Sequence, residues 1–146
     1  MQLQKINFKK GFTLLELMIV VVIIGILTAV VLVSLNSARS KGQDASIKAQ
    51  MNSLRTQADL YYSNHGNSYS SLFISDINWS SGDPSVQAIL TGINKQGPIH
   101  TAGSSATAWA AQVQLREDPT KYICIDASAI FKIGTTVMTG GQTSCP

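Results

Sequence analysis

The sequence predicts an α+β fold in which a long amino-terminal helix, membrane-spanning in its first half, packs on a small antiparallel β-sheet. Three observations support this fold. Residues 12–35 are almost entirely apolar, residues 47–61 carry apolar side chains at helical spacing, and residues 109–125 alternate apolar and polar side chains around a turn. The length of 146 residues fits one compact domain with an added segment.

The composition excludes two broad classes of protein. Charged residues make up 13% of the chain and hydrophobic residues 45%, so disorder driven by charge is excluded. The net charge is +3, but residues 12–146 hold eight basic and eight acidic side chains. Because this part is neutral and has no basic patch to follow phosphates, we expect no nucleic acid partner.

The apolar run from Phe12 to Leu35 predicts a helix that crosses a membrane. Its 24 residues would span about 36 Å as a helix, against the ~30 Å hydrocarbon core of a bilayer. Lys5, Lys9 and Lys10 precede the run, and basic residues favour the cytoplasmic side. We therefore expect a single-pass protein of the cytoplasmic membrane, with its amino terminus inside and its carboxyl-terminal domain outside.

Two simpler interpretations of this run remain as alternatives. A cleaved secretory signal normally has an apolar region of about 7 to 15 residues and a small-x-small cleavage site, which Ser34 to Ala38 do not provide. A plain uncleaved anchor would leave the carboxylate of Glu16 as an accident that costs about 2 to 3 kcal/mol deep in a bilayer.

Glu16 is the ionisable residue of the run, and its carboxylate needs a cation because it would lie in an apolar environment. No Lys or Arg occurs between Gly11 and Arg39. Cleavage of the Gly11–Phe12 bond would create an α-amino group on Phe12, with an ordinary pKa of about 7.7 to 8. This amine would pair with Glu16 of a neighbouring chain, or with Glu16 of its own chain across four residues.

Residues 9–18, KKGFTLLELM, resemble the type IV prepilin signal of type IV pilins and of the pseudopilins of type II secretion. The resemblance covers roughly residues 9 to 33, with looser similarity through the following helix. It implies a pilin-like α+β fold and cleavage after Gly11 by a prepilin peptidase. It also implies that Phe12 becomes the new, usually methylated, amino terminus and that Glu16 registers each incoming subunit.

The same resemblance implies the partners of the chain: identical or related pilin subunits in a helical filament, and an inner-membrane assembly platform. A structural subunit of a type IV pilus is favoured over a type II secretion pseudopilin because of the cysteine arrangement near the carboxyl end. From a different class, the alternative is a binding or enzymatic domain that uses the segment only as a membrane tether.

These observations divide the chain into four parts: a leader over residues 1–11, a membrane and filament-core helix over 12–35, an amphipathic continuation over 36–62, and a globular region over 63–146. The continuation is predicted by an apolar stripe at helical spacing, formed by Ile47, Met51, Leu54, Ala58 and Tyr61.

After this helix, Gly66 is the expected cap. Asp83 and Pro84 predict the N-cap and first position of a short helix with Val86, Ile89, Leu90 and Ile93 on one face. Residues 109–115 predict a strand with one buried face, residues 117–120 a turn, and residues 122–125 and 129–133 two further strands. The tail from Gly134 to Pro146 predicts a loop held by its cysteine.

The chain contains two cysteines, Cys124 and Cys145, and both lie in the part expected outside the cytoplasm. A disulfide between them would stabilise the fold by roughly 3 kcal/mol, and the family resemblance agrees with it. Two free thiols or two metal ligands are the alternatives, although neither a Cys-x-x-Cys spacing nor a nearby histidine pair supports zinc.

No sequence motif of an enzyme is present, so we expect no catalytic residue, no cofactor and no metal. His65 and His100 are isolated in polar segments and predict solvated side chains. Trp109 predicts a core position, and Trp79 is undecided. Five acidic residues are weaker candidates for calcium, although no 12-residue calcium loop is present: Asp76, Asp83, Glu117, Asp118 and Asp126.

Overall fold

The computed structural model describes residues 11–74, 80–96 and 100–146. Leader residues 1–10, together with the candidates Asp76 and Trp79, lie outside the described residues. The chain divides into two compact units, one ending at Ser37 and one running from Ala38 to Pro146. Its helices and strands are α1 (Leu14–Asn64), α2 (Pro84–Asn94), β1 (His100–Ser104), β2 (Trp109–Gln114), β3 (Tyr122–Asp126) and β4 (Phe131–Gly134).

The predicted α+β fold is confirmed. A long amino-terminal helix is followed by a four-stranded sheet of order β1-β2-β3-β4, in which every neighbouring pair is antiparallel. Helix α1 contains a stretch that is long and apolar enough to cross a membrane. In the first unit the large apolar side chains of residues 12–35 are between 50% and 88% exposed, so none of them is buried among the described residues.

The predicted apolar stripe of α1 forms the centre of the core of the second unit. Its five residues are buried, and they pack with residues of α2 and with the inward-facing side chains of the sheet. Trp109, Val113 and Ile123 are fully buried on this face of the sheet, which confirms the core position predicted for Trp109. Burial on one side of α1 is what an apolar stripe of 3.6-residue period requires.

The local signals that predicted the helix ends also operate in the structure. The side chain of Asp83 accepts hydrogen bonds from the backbone amides of Ser85 and Val86 at 2.8 and 3.1 Å, and Pro84 occupies the first helical position of α2. Gly66 has a φ angle of +66°, a backbone conformation that suits glycine because it has no Cβ. Helix α1 itself runs two residues further than Tyr62, to Asn64.

Strand β2 was predicted to have one buried face, and this prediction is wrong. Its first five residues, Trp109 to Val113, are all buried, because the carboxyl-terminal tail covers the second face. There Ala110 and Cys124 pack against Met138 and Cys145. The side chain of Gln112 fastens the tail by donating to Thr136 O at 2.8 Å and accepting from Met138 N at 2.6 Å.

Strand β1 was not predicted, and its formation depends on tertiary contacts. Its sequence, HTAGS, lacks a run of β-branched or aromatic residues, so it has little strand signal of its own. It pairs along its whole length with β2. The tail passes so close to Gly103 that a Cβ atom there would lie 2.5 Å from the carbonyl oxygen of Gln142, and only glycine fits this position.

The third predicted strand is shifted along the chain, from residues 129–133 to Phe131–Gly134. Ala129 instead lies in the turn between β3 and β4, with a φ angle of +63° that non-glycine residues rarely adopt. The buried side chain of Asp126 holds this turn by accepting from Ser128 N at 2.9 Å and Ile130 N at 3.4 Å. Its second oxygen accepts from Cys145 N at 3.2 Å, which joins the turn to the tail.

A buried carboxylate ties α1 to the turn between β2 and β3. Asp44 is 5% exposed, and its two oxygens accept hydrogen bonds from Arg116 N at 2.6 Å and Glu117 N at 3.0 Å. Without Asp44 both backbone amides would lie unpaired beside the helix, and a buried amide without an acceptor lowers the stability of the fold.

We predict that Asp44→Ala lowers the free energy of unfolding by about 2 to 3 kcal/mol, because it leaves two amides without their charged acceptor. Asp59→Ala is the matched control, since Asp59 is an exposed aspartate on the same helix; we expect it to change the free energy by less than about 0.5 kcal/mol. Urea unfolding of the full chain in detergent micelles, followed by tryptophan fluorescence, measures both values. Equal destabilisation by the two variants would contradict the role of Asp44.

Candidate functional site

The sequence candidates Gly11, Phe12 and Glu16 lie together at the start of α1. The helix begins at Leu14, and its first backbone bond runs from Leu17 N to Thr13 O at 3.3 Å. Thr13 is therefore the N-cap residue, and Glu16 is the third residue of the helix. Gly11 and Phe12 precede the cap and are not helical.

Thr13 and Glu16 form a reciprocal capping box. The backbone amide and the hydroxyl of Thr13 donate to Glu16 Oε2 at 2.8 and 2.9 Å, and Glu16 N lies 3.2 Å from Thr13 Oγ1 and donates to it. In such a box each residue satisfies a polar group that the start of the helix would leave unpaired. The carboxylate of Glu16 therefore has a neutral partner within the uncut chain.

The sequence did not predict Thr13 as a partner of Glu16. A cation was the expected partner, whereas the structure gives Glu16 two neutral donors from Thr13. The signal was present, because a Ser or Thr followed three residues later by Glu, directly before an apolar run, is the pattern of a capping box.

Gly11 and Phe12 are both exposed. Phe12 is 88% exposed, and among the described residues, apart from Gly11 and its chain neighbours, no atom lies within 4 Å of the position that a Cβ of Gly11 would occupy. Because both residues lie before the N-cap, their backbone is not engaged in the hydrogen bonds of α1.

Beyond the capping box, α1 presents an apolar face. Leu14, Leu17, Met18, Val21 and Val22 line a shallow groove of about 310 Å³ along one side of the helix. These positions recur at i, i+3, i+4, i+7 and i+8, so they form a continuous stripe. The nearby polar residue Thr28 satisfies its hydroxyl within the helix, by donating to Ile24 O at 2.7 Å.

The comparisons with known proteins agree with this arrangement. Residues 6–32 match the family model described as the prokaryotic N-terminal methylation motif. Over 140 residues the chain is 30% identical to the type IV wide pilus major component PilA4 of Thermus thermophilus, an alignment that covers 94% of this chain and 97% of that protein. The chain belongs to the type IV pilin family.

A type IV major alpha-pilin of Moraxella bovis is 43% identical to this pilin over 53 residues, which cover 36% of this chain and 33% of the relative. No solved structure matches the present chain significantly. The relation to the Thermus protein extends over nearly the whole of both chains, so it includes the globular unit as well as the amino-terminal motif.

The two cysteines of this pilin form a disulfide that joins β3 to the tail. Cys124 and Cys145 are 21 positions apart in the sequence, and their Cα atoms lie 5.8 Å apart. The disulfide fixes the tail over the outer face of the sheet, together with the hydrogen bonds that the side chains of Gln112 and Asp126 form with the backbone of the tail.

The acidic side chains considered as calcium ligands each have a different partner within the described residues. Asp83 caps α2, Asp126 holds a turn, and Glu117 pairs with Lys41 at 3.4 Å. Among residues 11–74, 80–96 and 100–146, no three His, Cys, Asp or Glu side chains converge where they would hold a metal ion. His65 is exposed at the end of α1 and stacks on Tyr61 with a distance of 3.8 Å between ring centroids.

A surface cleft of about 660 Å³ lies between α1 and the turn that follows β2. Two ion pairs lie within the cleft, since Lys121 contacts Asp118 at 3.0 Å and Lys41 contacts Glu117 at 3.4 Å. Hydrogen bonds from the Thr120 hydroxyl, from Lys121 and from the Thr120 amide lower the pKa of Asp118 from 3.8 to about 2.

We predict that a ¹³C NMR titration of the Asp118 carboxyl group gives a pKa of about 2, and that Thr120→Val raises it. A folded-state pKa below the unfolded one stabilises the turn above pH 3.8, and the contribution is lost as the pH falls towards 2. Thr136→Val, at another exposed threonine, should leave the titration unchanged. A wild-type pKa near 3.8 would contradict this interpretation.

Proposed function

We propose that this pilin is the structural subunit of a type IV pilus-like filament that assembles through its amino-terminal helix. One observation carries the proposal: the exposed apolar surface of α1 begins at a carboxylate whose hydrogen-bonding partner is neutral. Its relatives from Thermus thermophilus and Moraxella bovis are pilus proteins by name, and we assign no enzymatic role to this chain.

The first step is removal of the leader, residues 1–11, by a prepilin peptidase on the cytoplasmic side. Water adds across the Gly11–Phe12 peptide bond, so that the leader leaves with a new carboxylate on Gly11 and Phe12 gains an amine. A methyl group then passes from a sulfonium donor to this amine, so that the donor leaves as a neutral thioether and the amine releases one proton. The methylated amine still takes up a proton, so its positive charge is kept.

Before assembly the subunit lies in the cytoplasmic membrane, with residues 12–35 in lipid and the globular region outside. The assembly platform of the inner membrane then transfers it into the filament, where the same surface packs against identical or related helices. Lipid tails are as apolar as these side chains, so apolar contact alone gives little reason to leave the bilayer. A charge pair that forms only between subunits supplies the free energy that favours the filament over the bilayer.

In this mechanism Glu16 registers the incoming subunit by pairing with the Phe12 amine of a neighbour. The pairing is heterologous, since one end of the contact is an amino terminus and the other is a side chain five residues into the mature chain. Heterologous contacts that do not close into a ring produce a helical fibre.

Two alternatives remain distinct from this proposal. A type II secretion pseudopilin would share the amino-terminal motif and the same processing; the near full-length similarity to a pilus component favours the pilus. A membrane-tethered binding domain would need neither cleavage nor a registering charge, so processing separates it from both filament proteins.

We predict that co-expression with an active prepilin peptidase removes residues 1–11 and leaves a chain that begins at Phe12. Intact-mass spectrometry of the membrane fraction measures this change, and the same chain co-expressed with an inactive peptidase is the control. A chain that still begins at Met1 beside an active peptidase would favour the tethered domain.

We predict that Glu16→Gln leaves membrane insertion intact but reduces the yield of sheared filaments at least about tenfold, because buried charge pairs lose several kcal/mol when one partner is removed. Glu117→Gln is the matched control, since it removes a carboxylate from the exposed surface of the globular unit. Wild-type filament yield from the Glu16 variant would count against a registering role.

A further inference from the structure

The hydrogen bonds of the capping box are unevenly divided between the two oxygens of Glu16. Both donors of Thr13 end on Oε2, at 2.8 and 2.9 Å. In the part of the chain that the structure describes, Oε1 accepts no hydrogen bond and belongs to no salt bridge. One oxygen of the carboxylate is therefore held, and the other is open.

This asymmetry fixes the direction in which the carboxylate faces. A free glutamate side chain samples many rotamers, and ordering it costs conformational entropy. Thr13 restrains it through two donors, while its hydroxyl also accepts from Glu16 N at 3.2 Å. The side chain is thus oriented before any subunit arrives, which reduces the entropy that pairing with a cation would cost.

The same contacts leave the negative charge without a counter-charge. Thr13 supplies a hydroxyl and an amide, both neutral donors, so it satisfies Oε2 without neutralising the anion. A carboxylate in a hydrocarbon environment still favours a cation strongly. Oε1 is the position at which a cation can approach without displacing either donor of Thr13.

We propose that Thr13 is a positioning residue for assembly: it holds Oε2 of Glu16 and reserves Oε1 for the Phe12 amine of a neighbouring subunit. This inference rests on the proposed function. Thr13 already satisfies Oε2 within the chain, and Oε1 stays open, so the Phe12 amine of a neighbouring subunit can pair with the carboxylate without disturbing the cap.

The hydroxyl of Thr13 is the group that carries this role, and the chain offers a matched control for it. Thr28 lies in the same apolar segment, but its hydroxyl donates to Ile24 O. At about 1.5 Å per residue, Thr28 is roughly 18 Å along the helix from Glu16. Thr28→Val therefore removes a hydroxyl of the same kind without touching the carboxylate.

The test measures filament yield for the full chain expressed with its peptidase and assembly platform. Thr13→Val should lower the yield about tenfold, because a hydrogen bond to a charged group is lost. Thr13→Ser keeps the capping hydroxyl and should retain the wild-type yield, as should Thr28→Val. In a Glu16→Ala background, Thr13→Val should cause no further decrease, since a residue that acts only through Glu16 has nothing left to position.

Several outcomes would overturn the inference: a wild-type yield from Thr13→Val, a Thr13→Ser variant as poor as Thr13→Val, or an additive loss in the double variant. Hydrogen exchange of the Thr13 amide, measured for the purified full chain in lipid nanodiscs, shows whether this amide is hydrogen-bonded to Glu16 independently of filament assembly. Equally fast exchange in the wild type and in Glu16→Ala would overturn the inference. Slow exchange in the wild type, together with a Glu16→Ala variant that assembles normally, would instead overturn the proposed registering function.

Discussion

The apolar surface of the first part of α1 is the constraint on which the rest of the structure depends. From Phe12 to Leu35 its large side chains have at least half of their surface exposed. Burying one such side chain stabilises a protein by about 1.5 to 3 kcal/mol, so leaving all of them in water is not sustainable. This segment therefore needs an apolar environment, and under the proposed function that environment is first lipid and then the helices of other subunits. The second unit, in turn, needs a core of its own.

The second unit meets this demand by burying both faces of a small sheet. The stripe on α1 covers the inner face, and the tail covers the outer face with Met138 and the disulfide between Cys124 and Cys145. Short strands and a glycine-rich tail have weak preferences of their own, so buried polar side chains fix their positions. Asp44 accepts two amides from the turn after β2, and Gln112 pairs with the tail as a strand would. Most of these bonds join segments that lie far apart in the sequence.

The features that the sequence predicted correctly are those with a local or periodic cause. The stripe on α1, the cap formed by Asp83 and Pro84, and the hairpin of β2 and β3 follow from spacing and from turn chemistry. The features that it missed depend on tertiary contacts. Strand β1 forms because β2 pairs with it, and the second buried face of β2 exists because the tail folds back over it. Such contacts leave no periodic trace in the segments that they join. Thr13 differs from these, since its capping pattern is local and was present in the sequence.

At the start of α1, the hydrogen bonding of the Glu16 carboxylate and the balancing of its charge are met by different groups, although one cation could have supplied both. A carboxylate in an apolar segment needs its lone pairs satisfied and its charge balanced. Thr13 meets the first requirement within one chain, through donors that carry no charge. In the proposed mechanism the second requirement is met by the Phe12 amine, which forms only when the leader is removed. A subunit in the membrane would then hold Glu16 in an ordered state without a counter-charge until a neighbour provides one. The unbalanced charge would favour assembly, and the ordered carboxylate would make the contact specific.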